Sequence, residues 1–233
     1  MNGTRLLRRV FALLLLLALI TGMTGCFTIT TSPRYVTLSD DYTTLTATPD
    51  SEKVYRIEID NMSFTNSKDV TIDIAYSDTP SVEAVVSEDL LDYGFKITMN
   101  NGVLRVGPSK HLEIRTDRFE LKIRARFDEI DFSGGYDVTV DAGGAQSLSL
   151  NVSGAANGSV ENLYVSDFDA KISGAGSFVL SGAADKATIH ISGAGDIEAA
   201  GLTCNALDAK ISGAGDMTIA VVDVLEAKIS GIG

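Results

Sequence analysis

The residues of this chain that could do chemistry are few in kind: two cysteines, two histidines and 31 acidic residues in 233. His111 lies in a polar stretch and His190 in an alternating one, and neither is spaced to pair with a serine nucleophile. Two histidines and one spare cysteine give no zinc-ligand spacing. Ser-Gly-Ala-Gly-Asp, at 192–196 and 212–216, superficially resembles the glycine-aspartate phrase of calcium-binding β-rolls. Yet the residue in the acid's place reads Asp137, Asn157, Ser177, Asp196 and Asp216 in successive copies. One acid per copy falls short of the roughly six to eight oxygens that a calcium ion takes. Polysaccharide cleavage needs acids clustered in a groove; here charges fall at regular intervals, and there is no Trp to stack on a sugar. These residues imply no catalysis, no metal and no cofactor. A surface or adhesive role is expected instead, with the outward charges read as structural first and as a binding surface second.

Cys26 is the exception, because of what precedes it. Arg5, Arg8 and Arg9 form a basic start, followed by an apolar run from Val10 to Ile20 that is too short to span a bilayer. Thr21-Gly22-Met23-Thr24-Gly25-Cys26 then resembles the bacterial lipobox, with Met23 where leucine is usual. Residues 1–25 therefore read as a lipoprotein signal peptide, and Cys26 as the lipid attachment site. The expected location is the bacterial cell envelope, anchored to a membrane through the N-terminal lipid and exposed outside the cytoplasm. With Cys26 acylated, Cys204 has no disulfide partner and reads as a small, semi-buried hydrophobe. Loss of the three arginines leaves 16 basic against 31 acidic residues, a net charge of −15. Such a chain is repelled by phosphates, so nucleic acid is excluded as a partner.

The elements that must position these residues are strands. Residues 26–52, rich in Thr, Ser and Asp, read as a polar tether in which Tyr35-Val36-Thr37-Leu38 is a candidate strand. From Lys53 the chain alternates apolar and polar residues with period two, in runs 54–59, 70–74, 82–86, 95–99, 103–106 and 119–124. Asn100-Asn101-Gly102 is a hairpin signal, and Ser87 opens the one candidate helical turn. Residues 53–128 are expected to form an irregular β-rich part, and 129–233 regular rungs of a β-solenoid domain that spans 53–233.

The rungs are read from Ser-Gly pairs beginning at Ser133, Ser153, Ser173, Ser192, Ser212 and Ser230, spaced 20, 20, 19, 20 and 18 residues apart. Self-similarity at such a period predicts a stack of supersecondary units. The residue before each serine is apolar: Phe132, Val152, Ile172, Ile191, Ile211 and Ile229. Stacked about 4.8 Å apart, these become an internal column. The glycine after each serine suits a corner that needs positive φ or close backbone approach. The expected fold is all-β, a parallel β-helix (solenoid) of about 20 residues per rung. Outward charges form the candidate contact face: Asp169, Lys171, His190, Asp208, Lys210, Glu226 and Lys228. The final Ser-Gly pair lacks a following strand, so a partner covers that end, or copies self-associate there, or the reading frame is truncated.

The segment from about Lys53 onward resembles the putative auto-transporter adhesin, head GIN domain family. The resemblance rests on the Ile-Ser-Gly-Ala-Gly-Asp copies, on Asp131-Phe132-Ser133-Gly134 opening the series, and on the alternating segment before it. It implies a right-handed parallel β-helix without recognised catalytic residues, and a role in adhesion. The expectation is thus a non-enzymatic, lipid-anchored surface protein, an adhesin or scaffold for protein or glycan contact. A second reading is an envelope-stress or cell-wall accessory protein that docks a membrane partner; a third is a polysaccharide-active β-helix enzyme.

Overall fold

The structure is a computed structural model that describes residues 35–49 and 54–232. The signal segment and Cys26 lie outside the described residues.

Period-two alternation becomes strand wherever one face can be buried. In order these are β1 (Tyr35–Thr37), β2 (Tyr42–Ala47), β3 (Arg56–Ile59), β4 (Met62–Phe64), β5 (Asp69–Tyr76) and β6 (Ser81–Ser87). A helical turn, α1 (Asp89–Asp92), follows; its cap residue is Glu88 rather than Ser87, and Asp89 accepts the Ser39 N–H at 2.8 Å. β7 (Lys96–Asn100) and β8 (Val103–Gly107) form the expected hairpin, with φ of 49° at Asn101 and 76° at Gly102. That left-handed pair matches the twist of a two-residue turn. β9 (Leu112–Arg115), β10 (Arg118–Ala125), β11 (Glu129–Phe132), β12 (Asp137–Asp141) and β13 (Ser147–Val152) lead to four long strands. These are β14 (Asn157–Ile172), β15 (Phe178–Ile191), β16 (Ile197–Ile211) and β17 (Met217–Ile229).

β1 and β2 fall inside the stretch that composition marks as tether. β2 is nonetheless an edge of the main sheet, antiparallel to β6. Its Tyr-Thr-Thr-Leu-Thr run is polar in composition, but threonine is β-branched and suits a half-buried pleated surface.

β1, β9 and β4 make a three-stranded sheet. The other fourteen strands make one sheet, ordered β2-β6-β10-β5-β12-β14-β13-β11-β3-β8-β7, with β15, β16 and β17 added in turn beyond β14. β14 pairs with β12 along its first residues and with β13 along its last, so one bent strand joins two walls.

The expected right-handed parallel β-helix (solenoid) is corrected by this topology. The fold is all-β, but its main sheet mixes strand orientations and is nearly closed as a barrel. β6 runs antiparallel to both β10 and β2, and β7 runs antiparallel to β8. For β7 and β8 the physical reason is the tight connection: a two-residue turn can join only antiparallel neighbours, whereas a parallel pair needs a longer crossover. β6 meets β2 and β10 across 30 or more residues of chain, where nothing local dictates direction. Alternation specifies which residues turn inward, not which way a strand runs.

The columns read from the sequence are present as local register. Phe132, Val152, Ile172, Ile191 and Ile211 are successive partners, each no more than 5% exposed. The column also continues upstream through Ile59 to Val106, into the part expected to be irregular. Fully burying each such side chain is worth roughly 1.5–3 kcal/mol. The glycine after each serine serves close approach rather than positive φ. A Cβ at Gly174 would collide with the carbonyl oxygen of Gly154, and one at Gly193 with that of Gly174.

Candidate functional site: a charged groove across the stacked strands

Where β3 ends just before Asp60 and β11, β13, β14, β15 and β16 end at the Ser-Gly corners, the wall is concave. The groove there has a volume of about 710 Å³. Its floor is a polar column set by strand register: Glu58, Asp131, Asn151, Lys171, His190 and Lys210 are successive partners, and the column runs on past the groove from Glu58 to Arg105. Each faces outward because its neighbours in sequence face the core. Along one rim run the hydroxyls of Ser133, Ser153, Ser173, Ser192 and Ser212.

The two ends of the groove differ in charge. At one end Glu58, with only 11% of its side chain exposed, receives Nε and Nη2 of Arg105, and Arg56 approaches it at 3.6 Å. Arg56 also donates through Nε to Glu129 at 2.8 Å, and its Nε lies 3.5 Å from Asp131. The Glu129 hydrogen bond, reinforced by the charges of Glu129, Asp131 and Glu58 and opposed by partial burial, holds the Arg56 guanidinium above its ordinary pKa. Asn151 donates to Asp131 at 2.7 Å and to Glu129 at 3.1 Å, and Ser133 donates to Asp60 at 2.7 Å. Each of these carboxylates therefore already has a donor. The other end carries Lys171, His190 and Lys210 on successive strands, about 4.8 Å apart in the stacking direction.

Behind the acidic end, Tyr136 is 5% exposed and donates to the Ile59 carbonyl at 2.7 Å. Burial, with the charge of Asp60 adding to it, pushes its phenol well above the usual range.

The structure divides the contact face expected from the sequence. Lys171, His190 and Lys210 line the groove. Asp169 lies beside it, 3.0 Å from the Lys171 ammonium, and borders a separate hollow of about 220 Å³ with Lys186 and Thr188. Asp208, Glu226 and Lys228 continue the outward columns on β16 and β17 but do not line the groove. Asp131, two residues before Ser133 as Lys171 is before Ser173, shares the outward column by its spacing alone. Arg56, Glu58, Asp60 and Glu129 are groove residues that the sequence reading missed. Their signal was the register of β3 against β11, which the Ser-Gly spacing does not include. Cys204 is fully buried, and burial pushes its thiol pKa up.

Among the described residues no group of three or more His, Cys, Asp or Glu could hold a metal ion, and no helix is long and apolar enough to cross a membrane.

Several solved structures share this fold. A putative adhesin from Bacteroides fragilis superposes with a TM-score of 0.70 at 19% identity, covering 85% of this chain and 97% of its own. A putative lipid binding protein from Parabacteroides distasonis gives 0.60 at 14% identity, covering 86% and 98%. A putative adhesin from the same species gives 0.51 at 22% identity, covering 85% and 98%. At these identities the likeness is one of fold. No curated protein matches the chain. The family model described as putative auto-transporter adhesin, head GIN domain, matches residues 63–233, the stretch that builds most of the groove. Adhesins of this kind are cell-surface, extracytoplasmic proteins. By that match the chain belongs to the putative auto-transporter adhesin, head GIN domain family.

Proposed function

We propose that this chain is a non-enzymatic adhesin, lipid-anchored through Cys26, that holds an extended protein or glycan partner in the groove. The observation that carries the reading is the charge division along one concave strip, with acids held by arginines at one end and Lys171, His190 and Lys210 at the other. A partner laid across the strands would place anionic groups on the lysines and hydrogen-bond along the serine rim. Binding fits this arrangement better than turnover, because the groove carboxylates are already engaged by Arg56, Arg105, Asn151 and Ser133. A general acid or base would need a free position within reach of substrate.

The test is adhesion of cells displaying the full chain to host matrix, to whole cells and to arrayed glycans. Lys171→Ala with Lys210→Ala should lower capture at least tenfold, while Lys96→Ala on β7 leaves it unchanged. Equal capture by all three, or capture of nothing by the unsubstituted chain, would remove the groove from consideration.

A further inference from the structure

β17 stands apart from the strands it resembles. Leu225, Ala227 and Ile229 are the register partners of Leu207, Ala209 and Ile211, which are 3–5% exposed. Leu225 and Ile229 are instead 61% and 57% exposed, and Val222 and Val224 nearby are about as open. β17 pairs with β16 and with no other described strand. An open edge backed by apolar side chains is a template for another strand.

We infer that this edge pairs with β17 of a second copy, antiparallel across a two-fold axis through Ala227. Two observations select that occupant and that register. The first is backbone direction. Ser230 N–H donates to the Ile211 carbonyl at 2.9 Å, so the backbone groups of Ser230 and Lys228 face β16. Those of Leu225, Ala227 and Ile229 then face the free side, because backbone groups alternate along a strand. An antiparallel partner centred on Ala227 meets all three with hydrogen-bonded pairs, Ala227 with its own copy and Leu225 with Ile229 of the partner subunit.

The second observation is charge. The outward residues on this stretch are Glu226 and Lys228. Centring the axis on Ala227 sets Glu226 opposite Lys228 of the partner subunit, and the reverse. Centring it on Glu226 or on Lys228 would set like charges directly opposite, which is destabilising in a sheet. The same register turns Leu225, Ala227 and Ile229 of both copies to the inner face, where they cover one another. A closed two-fold contact of one patch with itself ends at two copies.

The experiment uses the full chain in detergent. Ala227→Cys, in a chain that keeps Cys26 and Cys204, should give an oxidant-dependent dimer above the baseline of the unsubstituted chain. Paired Cα atoms of a hydrogen-bonded antiparallel pair lie about 5.5 Å apart, within disulfide reach. Lys96→Cys on β7 should not cross-link. In sedimentation, Lys228→Glu should weaken the dimer at least tenfold. The double swap Glu226→Lys with Lys228→Glu should restore it, which also shows that the variants fold. A cross-linked product of any mass other than twice the chain means that a different partner covers β17. That result, a monomeric unsubstituted chain, or a dimer indifferent to the charge reversal would each overturn the inference.

Discussion

Tyr136 shows how one side chain serves two layers of the molecule. Its ring packs edge-on to Phe132 at 5.9 Å in the core column, while its hydroxyl holds the Ile59 carbonyl beneath the acidic end of the groove. Because the fold raises its pKa, the neutral phenol is the form compatible with the folded state. An unfolded tyrosine ionises near about 10. The stability contributed by neutral Tyr136 is therefore fully present below that pH and is lost above it, by up to about 1.4 kcal/mol per pH unit. Tyr136→Phe should cost about 1 kcal/mol at neutral pH through the lost hydrogen bond. It should also flatten the alkaline decline, as read by urea melts at about pH 7 and about pH 10.5. Cys204 makes a simpler case at the same scale. Buried, with its thiol pKa raised, it should resist alkylation by iodoacetamide in the native protein and react fully in denaturant.

At the scale of the element, the Ser-Gly corner decides whether strands can stack. Ser153, Ser173, Ser192 and Ser212 each donate a backbone N–H to the residue before the preceding serine, at 2.8–2.9 Å. The glycine that follows lets the next backbone close down on the one beneath it. Gly193→Ala would push a methyl into the Gly174 carbonyl, which belongs to backbone and cannot swing aside. Expected is a loss of about 1–3 kcal/mol in chemical denaturation, with Gly213→Ala behaving alike. Gly201→Ala, whose Cβ would come no closer than 3.3 Å to any heavy atom, should cost distinctly less. Glycine at 158 has another consequence, since it leaves its inward position without a side chain. Phe178, its partner on β15, is fully buried and stacks on Phe132 with ring centroids 6.2 Å apart.

At the scale of the whole molecule, the two wall surfaces and the open β17 edge point to separate roles, capture in the groove and pairing at the end. On the proposed reading, anchoring is a third, independent module. Cys26→Ala should move the protein from the membrane fraction to the soluble one, while groove binding by the released protein stays unchanged. Loss of both together would mean that Cys26 contributes to the fold as well. That division of labour fits a chain with 31 acids, which keeps its outer surface solvated and confines its cationic column to one strip.

What could be read from the residues alone was periodic. The alternation marked nearly every strand from Arg56 onward. The Ser-Gly spacing set which isoleucines share a column and placed Lys171, His190 and Lys210 in another, because side-chain direction in a strand depends on local parity alone. Strand direction and closure are not local. Only the tertiary pairing of β6 with β10 and with β2 turned an expected parallel coil into a nearly closed sheet of mixed orientation. The acidic end of the groove was decided in the same way. Arg56 and Glu129 are 73 positions apart in sequence and become neighbours only when β3 pairs with β11.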